Sequence, residues 1–293
     1  MERFQYVRAA SIPDAIALLN EPGLVSRPLA GGTDLVLITR YEKVCDRVVD
    51  ISLIPELHQI TRSRDQVVIG AGATFSEVLE NSIINETAPL LAQACRLVGG
   101  PQIRNMGTLG GNVANAAACA DSIPALVCLD AVAAVITPAG RLEWPLSELI
   151  VRPNQTRLPK GGLLISFSYT VPPPGSRGEF MKLGRRNALA ISRLTVAALG
   201  RIDSRGCIAE ARLVPGSAAP QICRFPQTEA ILVGETPSDK LCREAARQAV
   251  AEMTAITGRR WSSEFKEPAL EAMVYRALCT VFNLCQAPDG RPQ

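Results

Sequence analysis

PQIRNMGTLGGNVANAAACAD, residues 101–121, is the stretch on which the reading of this chain turns. It is rich in Gly, Asn and Ala. It has neither the 3.6-residue period of an amphipathic helix nor the alternation of a strand, and is expected to be a loop. A loop this long inside a compact domain usually has a function. At its centre stand Gly107, Thr108, Leu109, Gly110, Gly111 and Asn112: a glycine pair, a hydroxyl and a short amide. Paired glycines let the backbone turn through positive φ. Successive N–H groups then converge on one concavity, which suits a phosphate. The small residues at 114–120 would let a flat ligand lie against the backbone, and Asp121 is placed to accept a hydrogen bond from a ligand hydroxyl.

Residues 29–34, LAGGTD, repeat the same elements. A glycine pair follows a short strand, Thr33 adds a hydroxyl, and a helix beginning near Asp34 would aim its positive end at the same place. Either glycine pair alone is consistent with an ordinary turn. Two together fit a diphosphate, and a long loop can line the extended cleft of a dinucleotide. A third glycine segment, Gly70-Ala71-Gly72-Ala73-Thr74, follows a strand and invites a dinucleotide-fold reading. Phe75 stands where the third glycine should be and no ribose-binding acid follows, so the segment is read as a strand-to-helix turn.

Around these segments the chain alternates short strands and helices. Ser11 to Asp14 and Thr74 to Glu77 have capping-box spacing ahead of apolar runs. Strands are expected at 47–52, 66–69 and 163–171, and a hairpin at 131–136 and 141–144. Helices are expected at 35–41, 87–98 and 122–129. Pro172, Pro173, Pro174 and Gly175 read as a stiff linker and a domain boundary. Beyond it, strands at 180–183, 194–202 and 207–213 precede helices at 238–253 and 264–285. The tail at 286–293 is expected to be flexible.

Composition limits the function. Of 293 residues, 47% are hydrophobic and 20% charged, with a formal net charge of +3. That suits a globular protein with a large core and gives no basic surface for nucleic acid. The N-terminus, MERFQYVRAA, lacks an apolar targeting region, and no apolar run is long enough to span a bilayer. A cytoplasmic protein without membrane contact is expected. Nine cysteines form no CxxC pair, so neither an iron–sulfur cluster nor a zinc site is expected in this chain. A single histidine, His58, leaves no histidine-based triad beyond itself and no nucleophile elbow exists. Any redox chemistry must come from a bound cofactor.

These residues resemble the FAD-binding medium subunits of the molybdenum hydroxylases. That family includes xanthine, carbon monoxide and nicotinate dehydrogenases and the aromatic thioester reductases. The resemblance is carried by residues 29–34 (LAGGTD), 69–74 (IGAGAT), 100–112 (GPQIRNMGTLGGN), Asp121-Ser122, 181–186 (MKLGRR) and 190–197 (AISRLTVA). It covers nearly the whole chain, in the family's order and at about its spacing. It implies an α+β fold in two domains. The first, at 1–173, is an FAD-binding domain of the vanillyl-alcohol-oxidase (PCMH) type with two subdomains. The second, at 178–285, is a CO-dehydrogenase-flavoprotein-like α+β domain.

The resemblance also implies that FAD is held by Leu29, Ala30, Gly31, Gly32, Thr33 and Asp34, by Ile103, and by Thr108, Leu109, Gly110, Gly111 and Asn112. Asp121 would hold the nucleotide. Leu164, next to the equally placed Leu163, and Lys182 would lie near the flavin; Lys182 also reads as an exposed strand lysine. No residue of this chain is implied to be catalytic, and none to bind metal. A molybdenum-cofactor large subunit would hydroxylate the substrate. Electrons would pass through 2Fe–2S clusters on a small subunit to the FAD here, and on to NAD+ or another acceptor, within a heterotrimer. The aromatic thioester branch is disfavoured because no cysteine-rich insertion is present. The carbon monoxide branch carries His-Ser where this chain has Thr33-Asp34, which points to the xanthine or nicotinate type. Nicotinate, aldehyde and carbon monoxide dehydrogenases remain the alternatives, and a self-sufficient flavin oxidase is the alternative of another class.

Overall fold

The computed structural model describes residues 4–39 and 41–284. The expected tail at 286–293 lies outside them. The chain begins with a small parallel sheet in which Arg47–Asp50 lies between Gln5–Arg8 and Ser26–Leu29. All four residues of the central strand are buried, as suits a parallel strand covered on both faces. The helix Ile12–Leu19 is capped as the sequence suggests, with Ser11 Oγ accepting from the Asp14 N–H at 3.3 Å. Its Ala15 and Leu19 close a separate small core with Val49, Ile51, Ile54 and Leu57.

The second sheet is antiparallel, in the order Ile60–Ser63, Gln66–Gly70, Leu163–Thr170, Val132–Thr137, Gly140–Pro145. Its central strand is therefore the last in sequence. Val67, Ile69, Ala133, Val135, Phe167 and Tyr169 turn one face into the main core, where the helices Pro89–Arg96 and Ser122–Cys128 contribute Leu90, Leu91, Ala125 and Leu126. A register shift between Leu164 and Ser166 interrupts the central strand. Leu163 packs into the small N-terminal core and Leu164 into the main one, so the two neighbours serve opposite sides.

The third sheet is an antiparallel meander of Arg177–Leu183, Leu194–Ile202 and Ile208–Gly216. The middle strand is buried on both faces. Leu194, Val196 and Ala198 face the helices Asp239–Thr257 and Ser263–Val281. Ala197 and Leu199 join the main core on the other side. Pro172 to Gly175 is a turn rather than a stiff spacer. The Ser176 N–H donates to Pro173 O at 3.0 Å, and Gly175 has φ +84°. The sheet it leads into packs directly on Leu90, against which a Cβ at Gly178 would stand at 3.0 Å.

The helix read at 87–98 forms as Pro89–Arg96, preceded by a separate helix, Ser82–Thr87. Pro89 disfavours the helical region for Ala88, whose ψ is +57°. The irregular loop read at 101–121 contains two helices, Pro101–Met106 and Leu109–Asn115. Each spans fewer than two turns or barely two, too short to print a period in small side chains. Among the described residues no helix is long and apolar enough to cross a membrane.

Candidate functional site

The first glycine segment leaves the parallel sheet at Leu29, whose carbonyl accepts from the Ile51 N–H at 2.9 Å. Gly32 has φ +70°, the left-handed region that favours glycine. Gly31 is held against the other glycine segment. A Cβ there would stand 1.6 Å from Met106 O and 3.1 Å from Gly107 Cα. No other residue fits, so the two segments, about 75 positions apart in sequence, meet backbone to backbone.

The hydrogen bonds of this turn are one-sided. Gly32 O accepts from the Val36 N–H and Asp34 O from the N–H groups of Leu37 and Ile38. Among the described residues, nothing accepts from the N–H groups of Gly31, Gly32, Thr33, Asp34 and Leu35. A consecutive run of unpartnered donors through a positive-φ glycine has the make-up of a backbone anion nest. The segment is half-buried, so such donors call for a strong acceptor.

The second segment is built differently. Thr108 is buried and caps the helix Leu109–Asn115, its Oγ1 accepting from the Gly111 N–H at 3.0 Å. The Leu109 N–H donates to Ala73 O at 2.9 Å and the Gly110 N–H to Ala71 O at 2.7 Å. Leu109 side chain and Gly110 are buried. The segment at 70–74 is thus the floor on which the second glycine segment lies. Gly110 is required there, because a Cβ would meet Ala71 Cβ and O at 2.6 Å. The turn reading of 70–74 fits this role. Asn112 Oδ1 accepts from Ser122 Oγ at 2.7 Å. Ile103, exposed on the helix Pro101–Met106, lies against Gly99.

Asp121 already accepts two hydrogen bonds from within the chain. Oδ2 accepts from Lys182 Nζ at 2.7 Å, and Oδ1 from Ser192 Oγ. Lys182 also donates to Leu97 O at 2.8 Å. The side chains of Lys182 and Asp121 are only 10% and 5% exposed, so Lys182 is not a surface lysine. Burial, the chief effect, pushes the Asp121 carboxyl above its ordinary pKa, while the bonds from Lys182 and Ser192 pull it down. The trio ties the strand Arg177–Leu183 and the lead into Leu194–Ile202 to the end of the 101–121 segment. Ser192 was not singled out in the sequence. It lies inside the quoted 190–197 stretch, but nothing local marks a serine whose partner is 71 residues away.

Leu164, 6% exposed, is an apolar wall of the core rather than a surface contact. His58 is structural, its Nε2 2.9 Å from Ser52 O and its Nδ1 3.4 Å from Glu77 Oε2. None of the eight described cysteines is in a disulfide. Burial pushes the Cys95 and Cys128 thiols far up, which makes them poor nucleophiles. Among the described residues no group of His, Cys, Asp or Glu is arranged to hold a metal ion.

Residues 2–172 match the family model of the FAD binding domain in molybdopterin dehydrogenase, and residues 179–281 that of the CO dehydrogenase flavoprotein C-terminal domain. The xanthine dehydrogenase FAD-binding subunit of Escherichia coli O157:H7 is 32% identical over 93% of this chain and 94% of that protein. The 6-hydroxypseudooxynicotine dehydrogenase complex subunit alpha of Paenarthrobacter nicotinovorans is 29% identical over 96% of this chain and 95% of its own length. Among solved structures, carbon monoxide dehydrogenase from Hydrogenophaga pseudoflava superposes with a TM-score of 0.88 at 27% identity, covering 97% of this chain and 99% of the matched one.

Proposed function

The chain belongs to the family of FAD-binding subunits of the molybdopterin dehydrogenases, and on that premise we propose that it is the flavin relay of a multi-subunit molybdenum hydroxylase of the xanthine dehydrogenase type. The observation that carries the cofactor assignment is the close pairing of Gly31 with Met106 O beside five unpartnered N–H donors. A diphosphate supplies the acceptors those donors lack, and its charge suits a backbone nest. Ala30, Gly31, Gly32, Thr33 and Asp34 hold it from one side. Thr108 to Asn112 hold it from the other, with Leu29, Leu109 and Gly110 fixing the backbone. Ile103 contributes to the cofactor site, Leu164 and Lys182 lie near the flavin, and Asp121 holds Lys182 in place.

FAD, when bound, supplies the capacity to collect electrons singly and release them in pairs. This chain's own residues bind and orient it, and no side chain acts as acid or base. The partners are a large subunit with the molybdenum cofactor and a small one with 2Fe–2S clusters, and the acceptor is NAD+ or another oxidant. The complex is a cytoplasmic heterotrimer. The domains are assigned to 1–173 and 178–285. Thr33-Asp34 and the 32% identity to the xanthine dehydrogenase subunit support the finer assignment.

The test is to purify the native complex and measure its metals, then add substrates under anaerobic conditions. Molybdenum and iron should co-purify with this chain, and xanthine should bleach the flavin. Bleaching by nicotinate, an aldehyde or carbon monoxide instead would move the substrate assignment. Bleaching of the isolated chain by a small organic substrate would make it a self-sufficient oxidase.

A further inference from the structure

His58, the chain's one histidine, bridges the two parts of the first domain that carry the glycine segments. On one side its Nε2 lies 2.9 Å from Ser52 O. Ser52 follows the central strand of the parallel sheet, and its neighbour Ile51 donates to Leu29 O, where the first glycine segment begins. On the other side its Nδ1 lies 3.4 Å from Glu77 Oε2. Glu77 and Thr74 cap each other, the Thr74 N–H donating to Glu77 Oε2 at 2.7 Å. Thr74 makes a β-bridge to Thr108, and the Phe75 N–H donates to Gly107 O at 3.0 Å. One ring thus stands between the anchors of both segments. It has little room to turn away, since a Cβ at Gly72 would stand 3.2 Å from its Nε2.

Both partners of the ring are acceptors. A neutral imidazole donates from one nitrogen and turns the lone pair of the other on an oxygen, whereas the imidazolium donates from both. Burial presses the Glu77 carboxyl up, but the bonds from the Thr74 N–H and from His58 outweigh it and hold the carboxyl below its ordinary range. Glu77 is therefore ionised where a histidine titrates. It is the charged group that the helix Phe75–Glu80 brings to the ring. The Ser52 turn and the segment at 70–74 present backbone, and Glu56, on the turn Pro55–Leu57 that precedes the ring, is exposed. We propose that His58 is a positioning residue for the cofactor: its imidazolium form clamps the Ser52 turn to the Glu77 helix, holds the two glycine segments at the spacing FAD needs, and makes FAD bind more tightly as pH falls. This rests on the FAD reading above. The Glu77 side chain is 49% exposed, so solvent screens the pair and the effect is a few-fold one.

The test titrates the full chain with FAD between about pH 5 and 8, following flavin fluorescence. In parallel, the His58 ring, whose NMR signal needs no assignment in a chain with a single histidine, is titrated with and without FAD. The Kd should rise about threefold or more with pH, over the titration of a single proton. Coupling is reciprocal, so FAD should raise the His58 midpoint by about half a pH unit or more. His58→Gln keeps a donor for Ser52 O but does not titrate, and should flatten the pH profile. Glu77→Gln keeps the cap and should shrink both effects. The parent's midpoint shift needs no variant, so the test holds even where a variant fails to fold. A parent with the same FAD affinity across the range, or a His58 midpoint that FAD leaves unmoved, would overturn the proposal and leave the flavin assignment standing. So would a folded His58→Gln chain with the parent's profile. Absence of FAD uptake at every pH would sink both readings.

Discussion

At the residue scale, the glycines divide by the reason each is needed. Gly31 is required by close approach, since its Cβ would stand 1.6 Å from Met106 O. Gly32 is required by conformation, at φ +70° with only side chains nearby. The two substitutions therefore separate. Gly31→Ala should cost stability by roughly 1–3 kcal/mol, because backbone must move, and should also abolish FAD binding by parting the two segments. Gly32→Ala should cost about 1–2 kcal/mol of left-handed strain and weaken FAD while the fold persists. Gly23→Ala, at φ +83° with open space around it, is the control: similar strain, unchanged FAD content. Denaturant midpoints and FAD per chain measure all three. The glycine pairs stood out in the sequence as candidate phosphate-binding turns. Their mutual contact was not, because nothing local to Gly31 names Met106. The bonds from Lys182 and Ser192 to Asp121 were hidden for the same reason.

At the element scale, the second glycine segment works through a helix that the sequence did not reveal. Leu109–Asn115 is seven residues long and begins at the Thr108 cap. Capping boxes ahead of longer apolar runs were legible, and Thr74 forms one in full with Glu77. At 108–115 the glycines and small polar residues that permit close packing also erase the periodic signal. Thr108→Ala should cost about 1 kcal/mol through the lost cap and weaken FAD, because the Gly111 N–H loses its acceptor. Thr108→Ser keeps the oxygen and should retain FAD. Equal losses in both variants would mean that the buried methyl, not the cap, matters. Strand alternation was the better guide to the sheets. In Leu194–Ile202 even and odd positions feed two different cores, and the strand could be read without knowing either.

At the scale of the whole molecule, the two halves are joined by shared packing and by ion pairs, of which Lys182 with Asp121 is the most buried among the described residues. The pairing of Lys182 with Asp121 is where the C-terminal sheet grips the cofactor-binding half. Lys182→Met should destabilise the chain by roughly 3–5 kcal/mol, by leaving a carboxylate buried without its partner. Lys182→Met combined with Asp121→Leu should recover much of that loss. A single variant as stable as the parent would show that the pair does not lock the halves. The order of segments and their spacing made the two-part architecture legible from sequence, while the interface between the parts depends on residues 61 or more positions apart. The central claim is that paired glycine segments hold FAD. Its most direct test is the visible spectrum of the purified chain, with acid release of the chromophore. The account predicts flavin bands and close to one FAD per chain, lost in Gly32→Val while near-ultraviolet circular dichroism persists. A folded chain that is colourless, and that takes up no FAD either alone or with its partner subunits, would contradict it.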